Sequence, residues 1–121
     1  MLEVLGKVQP GPASRYHVSL AVDDSEIREA QRLRYAVFVE EMGARLPSVL
    51  AGHDIDLYDP FCDHLLVREL GSGEVVGTYR ILPPDAAQRV GNYYSEQEFD
   101  LTRLNFLRPR MAELGRSCVH P

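Results

Sequence analysis

The sequence predicts an α/β fold built on a mixed, largely antiparallel sheet, and three observations carry that reading. Strand-length runs alternating polar and apolar residues occur at 15–22, 62–70, 74–83 and 112–120. A helical stretch with one apolar stripe, residues 26–42, separates the first of these from the others. Gly71, Ser72 and Gly73 make a tight turn between the second and third strands, which sets an antiparallel centre. A mixed sheet with helices on its faces is the economical arrangement of such elements.

The elements follow in order. Residues 1–14, rich in Gly and Pro from Gly6 onward, are expected to form a mobile arm, leaving 15–121 as the domain. RYHVSLAV at 15–22 has the β-branched alternation of a half-buried strand. Asp23, Asp24 and Ser25 are N-cap residues, and Glu26 and Glu29 place negative charge in the first helical turn, where the helix dipole favours it. Residues 43–61 form a long connection holding HDIDLYDP, a length that usually signals function. The hairpin follows, then a short helix opened by Pro83 and Pro84 and closed by Gly91. Ser95 with Glu98, or Asp100, is placed to start a further helix toward Met111, interrupted by Pro109. The last strand spans about 112–120.

At 121 residues the chain has the usual size of a single hydrophobic core. A net charge of -5 disfavours nucleic acid as a partner, which would call for a basic stripe. The first residues lack a signal-length apolar run, and no stretch reaches the roughly 20 apolar residues of a membrane span. A cytoplasmic chain is the expectation. Cys62 and Cys118 lack any CxxC spacing and are read as free thiols.

Three constellations could carry chemistry. His53, Asp54, Asp56, Asp59, Cys62, Asp63 and His64 are metal-ligand types, but without the spacing of a metal motif, so no metal is assigned. On the last strand, strict alternation puts Glu113, Gly115, Ser117 and Val119 on one face and Leu114, Arg116, Cys118 and His120 on the other. That permits a Cys118/His120 nucleophile pair, although a buried inert Cys118 is the commoner outcome. The third is distributed. Arg34 falls in the middle of the apolar stripe, between Ile27 and Phe38, where a guanidinium must either extend its head to the rim or find carboxylate partners.

Taken together, RxxxF at Arg34 to Phe38, DxYD at Asp56 to Asp59, CDHLLV, GTYRILP containing Arg80, YYSEQEFDL and ELGRSCVHP resemble the GNAT-related acyltransferases from about Ser14 onward. The likeness is strongest to the ornithine acyl-carrier-protein N-acyltransferases, often labelled hemolysin-like, and more distant to the acyl-homoserine-lactone synthases. It implies a GNAT-like three-layer sandwich, here truncated after the fourth strand, because the glycine-rich turn that grips the donor in that family does not follow. It also implies direct transfer of a fatty acyl group from an acyl-carrier-protein or acyl-CoA thioester to an amino-acid amine, with no covalent cofactor. Ornithine is the implied acceptor, and membrane lipid synthesis the implied setting.

The site residues are then Glu113 as base and Ser117, near whose backbone an oxyanion would be held. Arg34, Phe38, Asp56, Asp59, Arg80 and Arg116 would bind substrate. The implied partners are acyl carrier protein, the amino acid and the periphery of the inner membrane. Two other readings stand beside this one: a non-catalytic module dimerising through the terminal strand edge, and a synthase of acyl-homoserine lactones, against which Met42 stands where that family tends to have an aromatic.

Overall fold

The computed structural model describes residues 15–45 and 50–121, so the arm predicted for 1–14 lies outside the described residues. Four strands, β1 (Tyr16–Leu20), β2 (Asp63–Glu69), β3 (Val75–Leu82) and β4 (Glu113–Val119), form one sheet in the order β1-β2-β3-β4. Every pairing is antiparallel. The hairpin closes where predicted, with Glu69 N donating to Glu74 O and Gly73 N to Glu69 O, both 2.8 Å. Gly73 takes a φ of 74°, a backbone that glycine adopts without Cβ strain.

Helix α1 (Asp24–Tyr35) starts as the acidic residues require. Asp23 Oδ1 accepts Glu26 N at 2.9 Å, and Glu26 reaches back to Val22 N at 3.2 Å, so two of the orphan amides are satisfied reciprocally. The continuous helix expected through Met42 instead widens into a π-helical turn, Ala36–Glu41, where Met42 N donates to Val37 O at 3.0 Å. Helix α2 (Pro84–Val90) ends on Gly91 in the left-handed conformation, φ 105°, as the Pro-start and Gly-stop pattern foretells. In place of one helix toward Met111 there are two 3₁₀ segments, Tyr94–Gln97 and Thr102–Arg110, the second preceded by Asp100 accepting Thr102 N at 2.9 Å.

Register fixes the faces. His64, Leu66, Thr78, Arg80, Leu82 and Cys118 share the inner face, and all are buried. Leu33 and Val37 of the helical segment pack on Cys118, while Ala86 and Ala87 pack with Leu82, Tyr58 and Tyr93. Arg68 of β2 holds α1 to this face through Glu29 at 2.6 Å and Glu26 at 3.4 Å. Of the three layers implied by the resemblance, the described residues supply the sheet and the inner helical layer. The outer face keeps Tyr16, Val18, Leu114 and Val119 exposed.

Strict alternation along β4 fails at one point. Thr78 pairs with Cys118 but Arg80 with Gly115, so Arg116 and Ser117 together oppose Tyr79. This is a β-bulge, and Arg116 takes a φ of 49°, unusual for a residue with a Cβ. The extra residue turns Arg116 onto the same inner face as Glu113 and leaves Ser117 exposed, correcting the face assignment made by counting. Cys118 packs on the helical layer, whereas His120 is exposed with its Nδ1 3.0 Å from Pro121 O.

Candidate functional site: a buried arginine and aspartate cluster beside a small cavity

Arg34 is 1 % exposed and finds carboxylate partners instead of reaching the rim. Its Nε donates to Asp54 Oδ2 at 2.9 Å, Nη1 and Nη2 form a two-pronged contact with Asp59 at 2.9 and 3.0 Å, and Nη2 also reaches Asp54 O at 2.6 Å. Such a fork satisfies charge and direction together. Asp59 accepts further bonds from Arg80 Nη1 at 2.9 Å, Gln31 Nε2 at 3.1 Å and Asp56 N at 3.2 Å. Arg80 also donates to Asp56 Oδ1 at 2.6 Å. Burial alone would raise the Asp59 pKa, but Arg34 and then Arg80 outweigh it and hold this carboxyl below its ordinary value. The guanidinium of Arg34 is driven up against its own burial by Asp59 and Asp54.

The loop reaches the cluster through its own backbone. Asp54 N donates to Gln31 O of α1 at 3.0 Å, and Asp56 Oδ1 accepts Tyr58 N at 2.9 Å and Asp59 N at 3.2 Å. Two buried arginines, Arg34 and Arg80, thus face Asp54, Asp56 and Asp59, and the half-buried Arg116 joins them. Of the carboxylates singled out as metal-ligand types, Asp54, Asp56 and Asp59 are engaged by guanidinium groups, and among the described residues no group of three or more His, Cys, Asp or Glu is placed to hold a metal ion.

Arg116 is bound differently. Its Nη2 lies 3.3 Å from Asp56 Oδ2 and its Nη1 3.3 Å from the Tyr94 hydroxyl. Its Nε is 3.0 Å from Asp54 Oδ2 but is not aimed at it, so this N–H makes no hydrogen bond. The Tyr94 ring lies under both Arg116 and Arg80, 5.0 and 5.4 Å from centroid to guanidinium carbon, and meets Tyr58 edge-on at 5.4 Å.

Glu113 sets this aromatic in place. Oε1 accepts Tyr94 N at 2.7 Å, while Oε2 accepts Ser95 N at 2.9 Å and the Ser95 hydroxyl. Beside these groups lies a cavity of ≈ 130 Å³ lined by residues that include Tyr58, Cys62, Arg80, Tyr94, Glu113 and Arg116. That is well below the roughly 300 Å³ or more of drug-sized sites and suits a small polar group. Burial pushes the thiols of Cys62 and Cys118 up to about 11, so both are protonated and poor nucleophiles at neutral pH.

Of the residues chosen from sequence, Arg34, Asp56, Asp59, Arg80, Glu113 and Arg116 come together here. Phe38 does not: it packs in the apolar cluster of Leu33, Val37 and Cys118. Ser117 contributes its position at the bulge. Sequence reasoning did not single out Gln31, Asp54 as an arginine partner, or Tyr94 and Ser95, although the last two stand inside the YYSEQEFDL motif.

Residues 33–121 match the family model described as Acetyltransferase (GNAT) domain. The chain belongs to the GNAT acetyltransferase family. Within this GNAT family it is 46% identical over 115 residues to the L-ornithine N(alpha)-acyltransferase of Rhodobacter capsulatus, covering 88% of this chain and 44% of that protein. It is 42% identical over 120 residues to the L-ornithine N(alpha)-acyltransferase of Brucella abortus, covering 92% and 43%. The chain therefore spans less than half the length of these curated relatives. Among solved structures it is similar to the AHL synthase LasI, with a TM-score of 0.60 and 26% identity over 90% of this chain and 55% of that one. TofI, solved in a ternary complex with an inhibitor and MTA, gives 0.58 and 27% over 88% and 57%. No helix among the described residues is long and apolar enough to cross a membrane.

Proposed function

We propose that this GNAT domain forms the acceptor side of an N-acyltransferase that moves a fatty acyl group from a thioester to the amine of an amino acid, ornithine being the favoured acceptor. The observation that carries this reading is the asymmetry among the arginines. Arg34 is enclosed by Asp54 and Asp59, whereas Arg116 borders the cavity half-buried, and its two hydrogen bonds, both 3.3 Å, are the longest that these guanidinium groups make. A guanidinium held this way suits an acceptor carboxylate, which would place the amine of the same small molecule near Glu113. Relatives named for L-ornithine acylation at 42–46% identity favour that acceptor over the chemistry of the AHL synthases, which are 26–27% identical.

The chemistry follows from the groups present. Of about four lone-pair directions on the Glu113 carboxylate, the protein fills three, two of them on Oε2. The direction left on Oε1 takes the proton from the attacking ammonium, directly or through water. The amine nitrogen then bonds to the thioester carbonyl carbon, the carbonyl electrons move onto oxygen, and the C–S bond breaks as they return, the second proton lost from nitrogen passing to the departing sulfur so that an amide and a thiol result. The bulge at Arg116 and Ser117 supplies an N–H outside the regular ladder to receive that oxyanion. The donor is an acyl-carrier-protein or acyl-CoA thioester, and the amphiphilic product suits membrane lipid synthesis.

The test uses a protein that carries this chain and spans the length of its relatives. Thiol release is followed with each thioester in the presence of ornithine, and the product is weighed by mass spectrometry. N-acylornithine formed with stoichiometric thiol is expected. Absence of release with both donors would leave a non-catalytic module as the better reading.

A further inference from the structure

The 3₁₀ segment Thr102–Arg110 contributes no buried residue, yet its C-terminal end is tied to the rest of the domain. The Tyr93 hydroxyl donates to Arg108 O at 3.2 Å and to Met111 O at 2.5 Å, and the Arg108 guanidinium pairs with Glu96. With three residues per turn, side chains three apart stack on one face. Asn105 and Arg108 turn toward α2, bordering a cleft with Ala87, Gln88 and Tyr93. The two remaining faces carry Arg103 over Phe106, and Leu104 with Leu107 over Arg110. All five of these residues are exposed, Phe106 by 78%.

A chain of net charge -5 thus presents a turn of three arginines with no acid within it, of which Arg108 is paired with Glu96, and with large apolar side chains between them. Glu98 and Asp100 lie just before the turn, and Asp100 is occupied in capping Thr102. We propose that this turn is a membrane-docking surface, with Phe106, Leu104 and Leu107 entering the interface of an anionic bilayer and Arg103 and Arg110 meeting lipid phosphates. Positive charge beside protruding apolar groups complements a surface that is anionic outside and apolar beneath. The apolar side chains protrude from the surface, Phe106 most of all, which suits a bilayer better than the shaped surface of a protein partner. The inference stands on this geometry and does not depend on acyl transfer.

The test is co-sedimentation of the full-length protein with phosphatidylcholine vesicles, with and without phosphatidylglycerol. Binding is expected only with the anionic lipid and is expected to fall with added salt. Arg103→Ala and Arg110→Ala should each weaken it by roughly fivefold, and Phe106→Ser should weaken it by a comparable or larger factor. Circular dichroism confirms that these exposed substitutions leave the fold intact. Absence of vesicle binding, equal binding to neutral vesicles, or binding unchanged in all three variants would overturn the proposal. So would variants that lose affinity for an acidic acyl carrier protein while binding vesicles normally.

Discussion

Replacing Asp59 by Asn keeps the shape of the side chain and removes a charge where two guanidinium groups converge. Asp59 accepts from Arg34 twice, from Arg80 once and from Gln31 once, at 2.9–3.1 Å. In the variant an amide N–H must face at least one of these donors, and the cluster passes from three arginines against three aspartates to three against two. Neither arginine can escape by losing its proton, because both are already held above the ordinary guanidinium value. Removing one partner of a buried pair costs about 3–5 kcal/mol, against a total of about 5–15 kcal/mol for a domain. With a urea slope of about 2 kcal/mol/M, the midpoint should fall by roughly 2 M.

The same residue fixes the pH dependence. Its folded pKa lies below its unfolded one, so the stabilisation is fully present above about pH 4 and is lost as pH falls through the folded value. The difference between wild type and Asp59→Asn, measured by urea unfolding with circular dichroism, should therefore be large at neutral pH and narrow under acid. A difference below about 1 kcal/mol at neutral pH, or one that persists unchanged under acid, would refute the reasoning.

Three further outcomes are expected. Glu113→Gln should lower the rate of acyl transfer by about 10²–10⁴-fold if Glu113 is the base, whereas Ser95→Ala, which removes only one donor to that carboxylate, should cost far less; equal losses would assign Glu113 to positioning Tyr94. Arg34→Ala should destabilise by about 3–5 kcal/mol in urea unfolding, by stranding Asp54 and Asp59. Alkylation of Cys62 by iodoacetamide should be slow at neutral pH and should accelerate as pH rises toward about 11, and fast neutral labelling would contradict its burial.

Much of the fold was legible because its boundaries rest on local chemistry. Asp23 caps α1, Gly91 stops α2 and the Gly71 to Gly73 turn closes the hairpin through interactions within a few residues. Arg34 was legible as a contradiction, a charge in an apolar stripe, which pointed to partners elsewhere. What escaped depends on tertiary geometry. The β4 bulge carries Arg at a positive φ where glycine would have announced it, so alternation misplaced Arg116 and Ser117. The π-helical turn at Ala36–Glu41 has no residue signature. Asp54 sat in the acidic cluster, but its role depends on α1 receiving its backbone N–H at Gln31. Ser95, read as a helix start, lies inside a 3₁₀ turn where Glu113 of β4 accepts its N–H.

Acceptor recognition turns on whether Arg116 holds the acceptor's carboxylate. The direct measurement compares thiol release with ornithine against its decarboxylated diamine, in the full-length protein and in its Arg116→Ala variant. The wild type should prefer ornithine, by about 10-fold or more for a charge-assisted bond of about 1.5–3 kcal/mol, and Arg116→Ala should lose most of that preference through a higher KM for ornithine. A preference that survives Arg116→Ala unchanged would contradict the account.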